Sequence, residues 1–274
     1  MFRILFSKMT ITTILLAAYS QAAWAASPIT DKALEVEIRR IIQEPMGDLT
    51  EEKLLKLFIL EAPGKSIKDL AGLDKCKNLA LIRLSNNQIT DLKPIKDLAN
   101  VQSLDLANNK ITDIKPIAGL IKLQYIELSG NQISDVSALE KLTALNAIYM
   151  GNNKITDISA VKNLSKLSSL SLPKNQISNL APLATVTRIS TLDLSDNQVA
   201  DLAPLSKQTD LRMLIIERNK IADLKPLVDS CKADFAGAKR FAPFLRLYLA
   251  GNPLGNDSAK QLEDLKAAGV RKES

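Results

Sequence analysis

The chain has 274 residues, of which 46% are hydrophobic but only 4% aromatic, and a formal net charge of +6. It contains no histidine, which removes the usual general base, the usual activator of a nucleophile and the commonest zinc ligand. Glycines are few and scattered, so no phosphate-cradling loop or other cofactor motif is present, and no catalytic, cofactor or metal residue is assigned.

Residues 1–25 read as a secretory signal peptide. Arg3 and Lys8 form a basic start, Met9 to Ala18 a short apolar run, and Ala23-Trp24-Ala25 a small-x-small cleavage site. The run is too short for a membrane span, so the expected product is secreted or periplasmic, with no stable membrane insertion after cleavage. Residues 26–56 are expected to form a helical N-terminal cap. Thr30 is placed to cap a helix that carries Leu34, Ile38, Ile41 and Ile42 at helical spacing, ended by Pro45 and Gly47. Thr50 then caps a shorter helix with Leu54 and Leu55.

Residues 57–254 are periodic. Asn87, Asn109, Asn131, Asn153, Asn175, Asn197 and Asn219 recur every 22 residues, and Asn252 follows after 33. With N as the asparagine position, apolar residues fall at N−8, N−5, N−3, N+2, N+5 and N+8, as in Leu79, Ile82, Leu84, Ile89, Leu92 and Ile95. The pattern L-x-x-L-x-L-x-x-N at this period is that of a leucine-rich repeat, of which the stretch holds about nine units. Residues 57–76 are a degenerate first unit, in which Lys65 stands where the asparagine would be. One unit cannot bury its own apolar face, whereas stacked units share a continuous core. The L-x-L segment reads as a strand with alternate side chains in and out. The turn after it strands backbone groups that a buried amide side chain can satisfy from both its donors and its acceptor, which makes the asparagines a structural ladder. Asp91, Asp113, Asp135, Asp157, Asp201 and Asp223 at N+4, with Asn179 in the remaining unit, suit turn capping better than calcium, because each is alone in its turn. Pro94, Pro116, Pro182, Pro204 and Pro226 at N+7 suit short turns on the convex side. The expected fold is therefore α/β: a leucine-rich repeat solenoid with a curved parallel sheet on the concave side, short turns on the convex side and helical caps at both ends.

The longer gap before Asn252 predicts a helical insert at about 228–243 in the penultimate unit, with Leu227, Val228, Cys231, Phe235 and Ala238 at helical spacing, Pro226 suited to the first helical position, Pro243 to the exit, and its phenylalanines packed on the coil. Asp257 or Ser258 is expected to cap a final helix within a C-terminal cap over 255–274, and residues after Gly269 to fray. Cys76 and Cys231 lie about seven units apart, roughly 33 Å at the strand spacing, too far for a disulfide.

The ending Asn109-Lys110-Ile111-Thr112-Asp113-Ile114-Lys115-Pro116-Ile117 and the 22-residue unit resemble the bacterial internalin-like class of leucine-rich repeats over residues 28 to 254. The resemblance implies a helical N-terminal cap and binding to a host protein, although this chain lacks the family's usual surface anchor. Solenoids bind on the concave strand face. The outward positions there present Arg83, Asp105, Tyr125, Glu127, Tyr149, Asp193, Met213, Ile215 and Tyr248 as candidate ligand-binding residues. Tyr125 and Tyr149 fall on neighbouring strands beside Glu127 and Asp105, and exposed tyrosine is enriched at binding hot spots. The same face carries Glu61, Asp105, Glu127, Asp193 and Glu217 against Arg83 and Arg246, the wrong sign for nucleic acid. An enzyme would need a carboxylate pair such as Asp105 and Glu127, with neither histidine nor a pocket-forming domain beside it. The expected function is a non-catalytic, monomeric binding module for a protein ligand; the alternative is a structural or scaffolding envelope protein with an endogenous partner.

Overall fold

The computed structural model describes residues 26–273, so the signal-peptide expectation for 1–25 lies outside the described residues. Each unit contributes one three-residue strand: β1 Ile59–Glu61, β2 Leu81–Arg83, β3 Ser103–Asp105, β4 Tyr125–Glu127, β5 Ala147–Tyr149, β6 Ser169–Ser171, β7 Thr191–Asp193, β8 Met213–Ile215 and β9 Arg246–Tyr248. The middle residue of each points inward and is fully buried, as Ile82, Leu104 and Ile126 are, while its neighbours face out. All strands pair in parallel in sequence order. The register is set by the period: Leu104 lies opposite Ile82 and Ile126. Leu247 still lies opposite Leu214, so the eleven extra residues of that unit are absorbed outside the sheet.

The ladder asparagines join consecutive units. Asn109 Nδ2 donates to the carbonyls of Leu106 (2.9 Å) and Ala107 (3.3 Å) in its own turn and of Leu84 (3.0 Å) in the unit before. Its Oδ1 accepts from the N–H of Ile89 at 3.0 Å. Asn87, Asn131, Asn153, Asn175, Asn197, Asn219 and Asn252 repeat the arrangement, with Asn252 accepting from Ile221 and donating to Ile216. The residue before each asparagine is left-handed: Asn86, Asn108, Asn152, Lys174, Asp196 and Arg218 all have φ between 51° and 58°. In the fourth unit Gly130 (φ 71°) takes the place, and a Cβ there would collide with the Asn108 side-chain oxygen. Each N+4 aspartate accepts from the backbone N–H two residues on, as Asp91 does from Lys93 at 2.9 Å, and Asn179 does the same for Ala181. Short 3-10 helices follow on the convex side, with proline in their first turn at Pro94, Pro116, Pro182 and Pro204.

Helix α1 (Lys32–Ile42) covers the first unit with Leu34 and Ile38 buried. Its cap is Asp31, not the expected Thr30. Asp31 Oδ1 accepts from Ala33 (2.9 Å) and Leu34 (3.1 Å), while the Thr30 hydroxyl donates to Asp69. A second helix, α2 (Glu51–Leu54), is capped by Thr50. Behind α1, buried Glu35 pairs with buried Arg39 at 2.9 Å. Lys65 fills its non-asparagine position usefully: its N–H donates to Asn87 Oδ1 at 3.0 Å and its ammonium reaches Glu37 at 2.7 Å, docking the cap.

The insert is helix α3 (Lys225–Ala236), which begins earlier than 228. It starts at the point where other units start their 3-10 turn, so it is that turn prolonged, with Pro226 in its first turn. It ends at Ala236, short of the expected 243: Asp234 accepts from the N–H groups of Arg240, Phe241 and Ala242 and folds the chain back. The expectation that the phenylalanines pack on the coil holds only for Phe241. Phe235 and Phe244 are exposed, with Lys239 and Arg212 over their rings. Helix α4 (Ser258–Ala267) covers the last unit through Leu265, and the Asp257 side chain makes no capping bond. Residues 270–273 are held in place instead of fraying. Arg271–Lys272 form strand β10 against β9, with Arg271 N–H donating to Leu245 and Glu273 N–H to Leu247, each at 2.9 Å. Cys76 and Cys231 are free and buried, and burial pushes both thiols up to about 12. No helix among the described residues is long and apolar enough to cross a membrane.

Candidate protein-binding face

The parallel register lines up the outward side chains of successive strands. Arg83, Asp105, Glu127 and Tyr149 are successive partners in one column, and Tyr125 lies in the next column between Ser103 and Ala147. Asp193, Ile215 and Tyr248 continue the first column, with Met213 beside Arg246. Between the two groups β6 offers only Ser169 and Ser171. The nine candidate residues therefore form two clusters rather than one face of uniform character.

The first cluster is aromatic and acidic. The Tyr125 and Tyr149 rings lie 5.6 Å apart, tilted by 41°, within the range of favourable aromatic pairs. Tyr125 is 36% exposed. Arg83 binds Glu61 at 2.7 Å and approaches Asp105 only to 3.8 Å. Glu127 has no cationic partner among the described residues; one oxygen accepts from the Ser129 N–H at 2.7 Å. Burial raises the Glu127 carboxyl above its ordinary value and nearby Asp105 adds to this, against the Ser129 bonds. The Tyr125 phenol is raised as well, by burial first and then by Glu127 and Asp105. A half-buried, uncompensated carboxylate beside two ring faces can take up a cation.

The second cluster is more self-contained. Met213 and Ile215 are half-buried on β8. Arg246 donates to the Tyr248 hydroxyl at 2.6 Å, lies 5.7 Å from its ring and pairs with Glu273 at 2.8 Å, so Tyr248 is occupied by its own neighbours. Asp193 spends one oxygen on the Ser195 N–H and hydroxyl, at 3.0 and 2.8 Å. Asp105 makes the same turn bond to Ala107 at 3.1 Å. These acids therefore brace the turn that follows their strand, a role that outward-pointing alternation alone does not reveal.

A family model described as Leucine Rich repeats (2 copies) matches residues 77–122, 99–141 and 121–163. No curated protein matches the chain. Among solved structures, internalin C2 of Listeria monocytogenes is 32% identical, with a TM-score of 0.71 over 73% of this chain and 89% of that one. A leucine-rich repeat protein of Leptospira interrogans shares the fold at 20% identity and a TM-score of 0.70, over 86% and 68% of the two chains. The functional domain of InlJ from Listeria monocytogenes shares it at 23% identity and a TM-score of 0.62, over 86% and 54%. The repeat, the asparagine ladder and the similarity to internalin C2 agree, and the chain belongs to the internalin-like family of leucine-rich repeat proteins.

Proposed function

We propose that this protein is a non-catalytic binding module, secreted or periplasmic, that recognises a protein ligand on its concave strand face. The observation that carries the reading is the Tyr125–Tyr149 pair next to Glu127, an acid with no cationic partner among the described residues that, like Asp105 and Asp193, accepts from the N–H two residues on. Two rigid rings and one available carboxylate suit a lysine or arginine side chain of the partner. The excess of acids along the strands favours a basic partner surface and fast encounter with it. A leucine-rich repeat scaffold suits the task, because its strands hold side chains at fixed spacing with little entropy left to lose on binding.

The test is a cross-linked pull-down from the organism's own envelope and from candidate host extracts. The wild type is compared with a Tyr125→Ala, Glu127→Lys, Tyr149→Ala variant of unchanged circular dichroism. Partner loss with the variant, by about 2 kcal/mol or roughly 30-fold in Kd once the partner is purified, supports the reading. A partner bound equally by both proteins overturns it. The extract that yields the partner decides between a host ligand and an endogenous envelope role.

A further inference from the structure

The sheet has a second feature, at the edge where strands β5 to β8 begin. A cavity of about 520 Å³ opens there, within the roughly 300–1,000 Å³ of small-molecule sites. Its floor comes from the residues that immediately precede those strands: Asn146, Ser168, Ser190 and Arg212. The two units just before carry the longer Gln102 and Gln124 at this position, and the unit before them Ala80. The two serines therefore make the hollow, because their side chains stop short between Asn146 and Arg212. The rim comes from two residues further back in each unit, as Lys166, Arg188 and Asp210.

The rim position is ordinarily spent on tying units together. Asn78 donates to the Leu55 carbonyl, Asn100 to the Lys77 carbonyl, and Lys122 to Asn100 Oδ1. Lys166 and Arg188 break that habit: neither enters a hydrogen bond or ion pair among the described residues. The one acid of the cavity, Asp210, is engaged by Arg240 at 2.7 Å. Arg212 forms no ion pair among the described residues; one nitrogen donates to the Arg240 carbonyl at 2.7 Å and its guanidinium lies 5.1 Å from the Phe244 ring, leaving further N–H donors. The cavity thus gathers cations without a matching carboxylate, beside hydroxyl and amide groups of Ser168, Ser190 and Asn146 whose side chains are also unused.

We propose that this cavity binds a sugar that carries a sulfate or phosphate ester. The cations supply charge-assisted hydrogen bonds to the ester oxygens, with the planar forks of Arg188 and Arg212 suited to two oxygens at once. The serine hydroxyls and the asparagine amide can both donate and accept, which matches the hydroxyl groups of a sugar. No aromatic ring lines the cavity, so a nucleobase has nothing to stack on. The site is separate from the tyrosine cluster, and its occupancy does not depend on the protein ligand proposed above.

Calorimetric titration of the whole protein with glucose 6-sulfate, glucose 6-phosphate, glucose, inorganic sulfate and inorganic phosphate tests this. Saturable binding of both sugar esters, tighter than that of glucose and of the free anions, is expected. A Lys166→Gln, Arg188→Gln variant should lose about tenfold or more of that affinity. A Lys141→Gln, Lys154→Gln variant, which removes the same charge elsewhere, should lose less than about twofold, and Lys166→Arg alone, which keeps a cation at the rim, should keep binding, which separates lost chemistry from lost folding. Esters that bind no better than glucose overturn the proposal, as does binding of the free anions alone or equal loss in the two double glutamine variants.

Discussion

Asn109 holds four backbone groups in place at once, three carbonyls and one N–H, in a turn from which water is largely excluded. Truncation to alanine leaves those groups without partners and adds no apolar contact. Each stranded group costs about 1–3 kcal/mol, so Asn109→Ala should lower stability by several kcal/mol in urea unfolding, whereas Asp91→Ala, which frees one exposed turn N–H, should cost about 1 kcal/mol or less. Equal losses at the two sites would show that the ladder is no more than turn capping. Glu127 behaves in the opposite way. Its carboxyl is raised above its ordinary value, so the folded state holds the proton more tightly than the unfolded chain does. The stability that this proton provides is present at low pH and is lost as pH rises through the folded-state value. Glu127→Gln should therefore be at least as stable as the wild type near neutral pH, and the difference between them should vanish on acidification, as followed by thermal melts across that range. A destabilised Glu127→Gln would mean that the ionised carboxylate serves the fold. The period carries every asparagine and aspartate of these columns, which is why the sequence reveals them. The left-handed column before each asparagine was missed because Lys174 and Arg218, poor turn formers, share it with Asn86, Asn108 and Gly130.

At the scale of elements, the ends of the stack depend on side chains that bridge one element to another. Asp31 accepts from Ala33 and Leu34 at the start of α1 and, through its other oxygen, from the N–H groups of Lys68 (2.8 Å) and Asp69 (3.2 Å) in the first unit. Burial would raise this carboxyl, but the four backbone donors prevail and hold it below its ordinary value. Its contribution is therefore present above the unfolded-state value of about 4 and is lost as pH falls through the lower folded-state value. Asp31→Ala should cost about 0.5–2 kcal/mol for the cap alone, more if the bonds to Lys68 and Asp69 matter, and the gap to wild type should close in acid. Urea midpoints at neutral and acidic pH measure both; a gap independent of pH would place the loss in packing instead of charge. Sequence pattern places the cap at Thr30; the Thr30 hydroxyl is instead taken by Asp69, a residue of the first unit, and Asp31 caps the helix. The extent of α3 is only partly legible: Pro226 marks its first turn, but nothing in the pattern marks its end at Ala236. Lys225-Pro226-Leu227 looks like any other turn of the array until the chain continues as helix. The cavity before β5 to β8 has no periodic signal at all, since it exists where Ser168, Ser190 and Arg188 depart from the residues of other units.

The molecule as a whole is a one-dimensional stack, in which each unit touches its neighbours and charge is sorted by side. The net charge of +6 suggests an indiscriminately basic surface, yet acids dominate the outward strand positions while Lys93, Lys96, Lys115 and Lys141 sit on the turns. Average charge therefore says less about the partner than the register does. A stack also has two open sheet edges, which invite pairing with another chain. Here β10 occupies the C-terminal edge, with the N–H groups of Arg271 and Glu273 donating to the carbonyls of Leu245 and Leu247 and Glu273 paired with Arg246. Two charged residues with no apolar alternation carry no strand signal, and it is the unpaired backbone of β9 that recruits them. Because coupling in such stacks is mainly between neighbours, removing residues 271–274 should be felt locally. Amide exchange at Leu247 and Tyr248 should accelerate by about tenfold or more from the loss of two hydrogen bonds and an ion pair, while Leu104 and Ile126 in the middle of the array keep their protection. Acceleration spread evenly from β2 to β9 would instead show that the solenoid opens as a single unit, and the Asn109→Ala loss would then have to be read as a property of the whole stack.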